Sequence, residues 1–190
     1  FDVAGTIVGL VDRSAILPRP QEMAVGDLLL GFPSSGPHTN GYSLIRRVLT
    51  GDDLSRTLSD GRSLADALLA PHRSYVQVVD VLAAGGANLL GLAHITGGGF
   101  VENIPRVLPQ GLCAIVDTRA WAVPEVFCLL VERSGMDMAE AFRVFNMGVG
   151  MVAVVPAAAR AVVRELLPEA VELGRLGERE PGAPAIHLLY

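Results

Sequence analysis

Leu28-Leu29-Leu30-Gly31-Phe32, then Ser34-Ser35-Gly36-Pro37-His38-Thr39-Asn40-Gly41, then Tyr42-Ser43-Leu44-Ile45-Arg46-Arg47-Val48-Leu49 is the stretch that decides how this chain reads. An apolar run, an octet of small residues and a helix-like segment form the pattern of strand, tight loop and helix. Such a loop puts free backbone N–H groups at the positive end of a helix dipole, which suits an anion. Pro37 fixes its own φ and restricts Gly36, so the octet is a shaped loop rather than a linker. It carries the His38 imidazole, the hydroxyls of Ser34 and Ser35, and Thr39 and Asn40 behind them. A histidine among anion-binding N–H groups can shuttle a proton or stabilise developing phosphate charge.

A second loop of the same kind follows the strand-like run Asn88–Ile95. There, His94-Ile95-Thr96-Gly97-Gly98-Gly99 leads into a short helix, Phe100–Leu108, limited by Pro105. Three successive glycines cost backbone entropy and belong where φ is positive or a ligand comes close. They can form a nest of N–H groups for a phosphate or carboxylate. The loop is neither a Walker A motif nor a complete G-x-G-x-x-G. If the two preceding strands run parallel in one sheet, both loops fall at its carboxyl edge, where ligands gather in α/β folds. Just beyond, Asn103 is a candidate ligand contact, and Arg106 reads equally as a contact or a surface charge.

Working outward, the remaining elements alternate. A helix spans 63–69, and another follows Pro71 to about Ala84, with Tyr75, Val76, Val79, Leu82 and Ala83 on one face. A strand covers Leu112–Val116, helices lie near 124–133 and 137–145, and a glycine-spaced strand runs from Met147 to Val155. Pro156 opens a helix to about Leu167, and strands near 170–176 and 184–189 complete the chain. This predicts a two- or three-layer α/β sandwich. Asn146 reads as a helix C-cap, and His72 and His187 as ordinary helix and strand histidines. Residues 51–62 are polar and read as an exposed excursion.

Phe1-Asp2-Val3-Ala4-Gly5-Thr6-Ile7-Val8-Gly9-Leu10-Val11 reads as a strand without a hairpin neighbour. The expectation is that residues 1–20 are the last strand of a preceding domain plus a linker, and residues 21–190 the main domain. Asp2 is a lone carboxylate and means little by itself.

Composition narrows the function. Apolar residues are 51% of 190 and mean hydropathy is +0.43, which excludes a disordered chain, yet no run reaches the roughly 18 residues of a membrane span. A net charge of −5 with 5% aromatics argues against nucleic acid and anionic membranes as partners. Cys113 and Cys128 lack zinc spacing and read as buried thiols of a reduced, cytoplasmic protein. No metal ligands are assigned, and no G-x-S-x-G elbow occurs.

Taken together and in order, several motifs resemble the phosphoribosylformylglycinamidine cyclo-ligase (aminoimidazole ribonucleotide synthetase) family. They are Phe1-Asp2-Val3-Ala4-Gly5, the octet with Tyr42-Ser43-Leu44, and His94–Gly99 with Glu102-Asn103-Ile104-Pro105-Arg106. Phe145-Asn146-x-Gly148-Val149-Gly150-Met151, Ala70-Pro71-x-Arg73-x-Tyr75 and Pro124-Glu125-Val126-Phe127 add to them. The resemblance implies an α/β (α+β) fold, a layered α/β/α sandwich whose mixed sheet has partial ferredoxin-like topology. It implies a usually dimeric, two-domain ligase of purine biosynthesis that uses ATP and Mg2+, with the nucleotide-binding elements in an N-terminal domain. In that reaction ATP activates an amide oxygen as a phosphate ester, and nitrogen attack closes the imidazole ring and expels phosphate. It places substrate phosphate near Ser35, Gly36, Thr39, Asn40, Gly41, Thr96, Gly97, Gly98, Gly99 and Asn103, with His38 as the acid/base or charge-stabilising group. The sequence departs from the family at Met147, where cysteine is common. Two alternatives stay open: a related ATP-dependent enzyme of hydrogenase maturation, selenophosphate or thiamin phosphate synthesis, or a non-catalytic phosphate-binding or oligomerisation module.

Overall fold

The computed structural model describes residues 4–190, the side chain of Asp52 excepted. Its centre is the strand β1 (Leu28–Pro33), buried along nearly its whole length. Alternation assigns its side chains to two cores: Leu29 faces one, and Leu28, Leu30 and Phe32 face the other. A strand that is apolar on both faces needs cover on both, and the helices supply it.

Six strands form one mixed sheet in the order β2-β4-β1-β5-β3-β6, where β2 is Gly91–His94, β3 Leu112–Asp117, β4 Val149–Val155, β5 Val171–Glu178 and β6 Ile186–Leu189. Neighbours are antiparallel except β3 and β6. The larger core lies against α1 (Tyr42–Val48), α2 (Leu64–Leu68), α4 (Gly99–Asn103), α5 (Glu125–Ser134) and α6 (Met138–Val144). The smaller lies against α3 (Val76–Ala84) and α7 (Arg160–Leu166). The result is the three-layer α/β/α sandwich expected from the alternation of elements.

Four local readings change. Residues 4–12 form no strand, and Ile7, Val8 and Leu10 are almost wholly exposed, because among the described residues no neighbouring strand offers them a ladder; Phe1, Asp2 and Val3 lie outside the described residues. On α3 the buried face is Val78 and Leu82 with Tyr75 just ahead, while Val76 is exposed, so the helical stripe is rotated from the one expected. Cys128 is exposed on α5 rather than buried; only Cys113, on β3, is a core thiol. The segment 100–108 is a short helix running into a 3-10 turn, Ile104–Val107, with Pro105 at its start.

What matters for the site is direction. β1 and β2 are each antiparallel to β4, which lies between them, so they point the same way without being adjacent. Their carboxyl ends, and the start of β4, therefore meet at one edge of the sheet. The octet and the glycine loop both emerge there.

Candidate functional site

The octet is held in shape from outside itself. Asn146, 1% exposed, donates from Nδ2 to the Gly36 carbonyl at 2.9 Å. Its Oδ1 accepts from the Gly148 N–H at 2.9 Å and the Ser34 hydroxyl at 3.1 Å. Asn146 is thus a buried staple between the octet and the turn into β4, not a helix C-cap; that cap is Phe145. Arg73 and the Tyr75 hydroxyl both donate to the Pro33 carbonyl, at 3.2 and 2.9 Å, fixing the point where β1 ends. Gly36 and Gly41 are needed for room, since a Cβ would meet the Ala67 carbonyl at 2.5 Å or the Phe145 ring at 2.5 Å.

Inside the octet, His38 and Thr39 adopt positive φ, of 52° and 64°. Local side-chain bonds hold this left-handed turn: the Thr39 hydroxyl and the Asn40 amide both donate to the His38 carbonyl. The His38 ring is only 2% exposed. Its Nε2 lies 3.0 Å from the Ser35 N–H and 2.9 Å from the Ser35 hydroxyl, which itself donates to the Pro71 carbonyl at 2.6 Å. Ser35 thus offers Nε2 a donor and an acceptor, and either neutral tautomer finds a partner. Nδ1 is buried with no hydrogen-bond partner. Burial, helped by nearby His72, His94 and Arg73, holds the His38 pKa down at about 4, so the ring is neutral at neutral pH.

The glycine loop is held from within. Asn103, 4% exposed, donates from Nδ2 to the carbonyls of Thr96, Gly97 and Gly99, and its Oδ1 accepts from the Thr96 hydroxyl. Its amide therefore shapes the loop rather than facing outward. The three glycines differ in what requires them. Gly98 has φ +88°, and a Cβ on Gly99 would lie 2.0 Å from the Phe142 carbonyl, whereas Gly97 has open space on its Cβ side. Among the described residues the N–H groups of Gly97 and Gly98 donate to no protein acceptor. Arg106 is a surface charge, 63% exposed, paired with Glu102 at 3.7 Å.

The helices after the two loops have seven and five residues, too short for a substantial dipole. Anion binding here would rest on the loops' N–H groups and hydroxyls themselves. The loops meet at their histidines. His72 stacks on His38 with ring centroids 3.9 Å apart, and its Nε2 lies 3.1 Å from Nε2 of His94, the last residue of β2. A cavity of about 490 Å³ opens beside His38, Thr39 and Tyr42. Another, of about 400 Å³, lies beside Tyr75, His94 and Met151, and His72 borders both.

His72 is not a helix histidine: it stands in the irregular segment before α3. Its role, and those of Arg73, Tyr75 and Asn146, are missed when each residue is read in its own element. Pro71 gave no warning, since proline restricts the residue before it and suits a first helical turn. Met147, buried with φ 48°, takes an indole hydrogen bond from Trp121 on its carbonyl, so the position is occupied by packing in a tight turn.

Comparison with known proteins identifies the family. The family model described as AIR synthase related protein, C-terminal domain, matches residues 24–186. The chain is 40% identical over 185 residues to a phosphoribosylformylglycinamidine cyclo-ligase of Oceanobacillus iheyensis, covering 95% of this chain and 54% of that protein. It is 43% identical to the enzyme of the same name from a Synechococcus strain, covering 96% and 52%. The chain thus spans about half the length of these curated relatives. Among solved structures, thiamine-monophosphate kinase of Stenotrophomonas maltophilia K279a superposes with TM-score 0.64 at 15% identity, covering 94% of this chain and 54% of that one. E. coli HypE, a hydrogenase maturation protein, superposes at 0.57 and 20% identity, covering 92% and 49%. These two share the fold. The match over residues 24–186 shows that the chain belongs to the AIR synthase related proteins, as their C-terminal domain.

Proposed function

We propose that this chain is the substrate-side half of a phosphoribosylformylglycinamidine cyclo-ligase, closing the imidazole ring to give aminoimidazole ribonucleotide in purine biosynthesis. The observation that carries this reading is the convergence of octet and glycine loop at one sheet edge, in a chain 40% and 43% identical to enzymes of that name. The substrate phosphate and the transferring phosphoryl group are bound by the backbone of Ser35–Gly41 and Thr96–Gly98. Asn103, Gly99 and Asn146 act through the shape of those loops.

His38 works as a neutral imidazole. Its buried Nδ1–H, with Nε2 accepting from the Ser35 N–H, is a fixed donor for a developing oxyanion. A low pKa suits that task, because a neutral donor neither binds substrate phosphate too tightly nor titrates near pH 7. ATP supplies the phosphoryl group that turns the amide oxygen into a leaving group. The Mg2+ accompanying it needs hard oxygen ligands. Among the described residues the one cluster of three close metal-ligating side chains is histidine only, so these residues do not fit Mg2+. ATP and Mg2+ belong to the part of the relatives this chain does not span, and the exposed apolar run at residues 4–11 is where that part packs. A homodimer is the proposed assembly of the whole enzyme.

The test joins this chain to the N-terminal half of the Oceanobacillus iheyensis relative and measures phosphate release. Release that requires both ATP and formylglycinamidine ribonucleotide is the expected result. A folded chimera that releases phosphate only with thiamin phosphate or another superfamily substrate would replace this reading with that one.

A further inference from the structure

Three histidines from separate segments converge in this chain: His38 in the octet, His72 before α3, and His94 at the end of β2. One ring nitrogen of each lies within 4.8 Å of the other two. The proposed ring closure gives no task to His72 or His94, and among the described residues no carboxylate joins the group. We propose that His38, His72 and His94 form a binding site for a borderline divalent transition-metal ion, of the class of Zn2+, Co2+ or Ni2+, with an open position for water or an anion.

The donor set selects that class. Neutral imidazoles suit zinc, nickel and copper, while Mg2+ and Ca2+ take oxygen. Two nitrogens on one tetrahedral Zn2+, each at 2.0–2.1 Å, stand roughly 3.3 Å apart. The Nε2 atoms of His72 and His94 are already 3.1 Å apart. His38 brings the independent observation: its ring is 2% exposed and its Nδ1 has no partner. Ser35 completes the arrangement. Its hydroxyl hydrogen goes to the Pro71 carbonyl, so its oxygen can accept from Nε2–H; an ion on Nδ1 requires this tautomer in place of the one whose Nε2 accepts from the Ser35 N–H. A second partner orienting the far nitrogen is the usual support of a histidine metal ligand. His72 and His94 are exposed rings that can turn toward an ion entering from solvent.

The proposal is argued from the cluster and not from the cyclo-ligase reading, and an ion on Nδ1 excludes the donor role proposed above for that nitrogen, so the ion-bound and oxyanion-binding states are alternatives. The test titrates the untagged, metal-free chain with Co2+ and with Zn2+, following heat and the visible absorption of bound Co2+. One ion per chain is expected, with the stronger visible bands of low-coordinate Co2+. His72→Ala and His94→Ala each weaken binding by at least about tenfold, while His187→Ala, on the far-edge strand β6, binds as the parent does. Because His72 and His94 are exposed, these variants keep the fold, which circular dichroism verifies. Binding that is absent, or equal in the parent and in both His72→Ala and His94→Ala, overturns the site.

Discussion

The octet and the glycine loop sit at the same sheet edge and follow strands of the same direction, yet they are built in opposite ways. The glycine loop is closed by Asn103, whose partners lie four to seven residues away. The octet is closed by residues remote in sequence: Asn146, 110 positions from Gly36, and the Pro71 carbonyl, 36 from Ser35. The first loop is a self-contained device. The second exists only when three segments have already assembled around it, and that is what lets it bury a histidine. A locally closed loop can present backbone N–H groups to solvent, but a buried imidazole needs walls.

This difference predicts unequal costs. Asn146→Ala leaves the Gly36 carbonyl, the Gly148 N–H and the Ser34 hydroxyl without partners in the interior. At about 1 kcal/mol or more for each buried group, the loss is about 3 kcal/mol or more. Urea unfolding monitored by Trp121 fluorescence reads it, since that indole bonds the adjacent Met147 carbonyl. Asn103→Ala removes bonds within one exposed-edge loop and costs less, about 2 kcal/mol. Equal losses in the two variants would erase the distinction between remote and local closure.

The same distinction explains what the sequence disclosed. The strand, octet and helix from Leu28 to Leu49, and the glycine loop with its short helix, are legible because each is local: apolar run, small residues, apolar periodicity. Asn103 was visible as a polar group beside the glycines, although its amide turns inward to the loop. Asn146 and His72 were misread for the opposite reason, as each takes its meaning from segments that only the fold brings near. The run at residues 4–11 shows the limit of pattern from another side. Its β-branched composition is strand-like, but a strand is a relation between two segments, and here the second is absent among the described residues.

A pH test probes the buried side of the comparison. Unfolded, His38 titrates near 6.5, while in the fold burial holds it at about 4, so between these values the unfolded chain binds more protons. Stability from this group is therefore complete above pH 6.5 and declines as pH falls toward 4. His94 is shifted in the same direction, by burial and by His72. In His38→Gln the slope of unfolding free energy between pH 6.5 and 5 becomes shallower than in the parent. An unchanged slope would mean that the ring is not walled in as the octet's remote contacts require.

The smallest stability effect belongs to the exposed loop and carries the most information about binding. Gly97 has open space where a Cβ would go and needs no positive φ, unlike Gly98 and Gly99. Gly97→Ala should therefore change stability by no more than about 0.5 kcal/mol. If the loop's N–H groups hold a phosphate, an added methyl at the point of closest approach must still obstruct it. Calorimetry with ribose 5-phosphate should then show at least tenfold weaker binding in a variant that unfolds like the parent. Unaltered affinity would leave the three glycines as a means of turning the chain onto α6, which Gly99 alone already needs against the Phe142 carbonyl. The octet would then be the sole anion site of the edge.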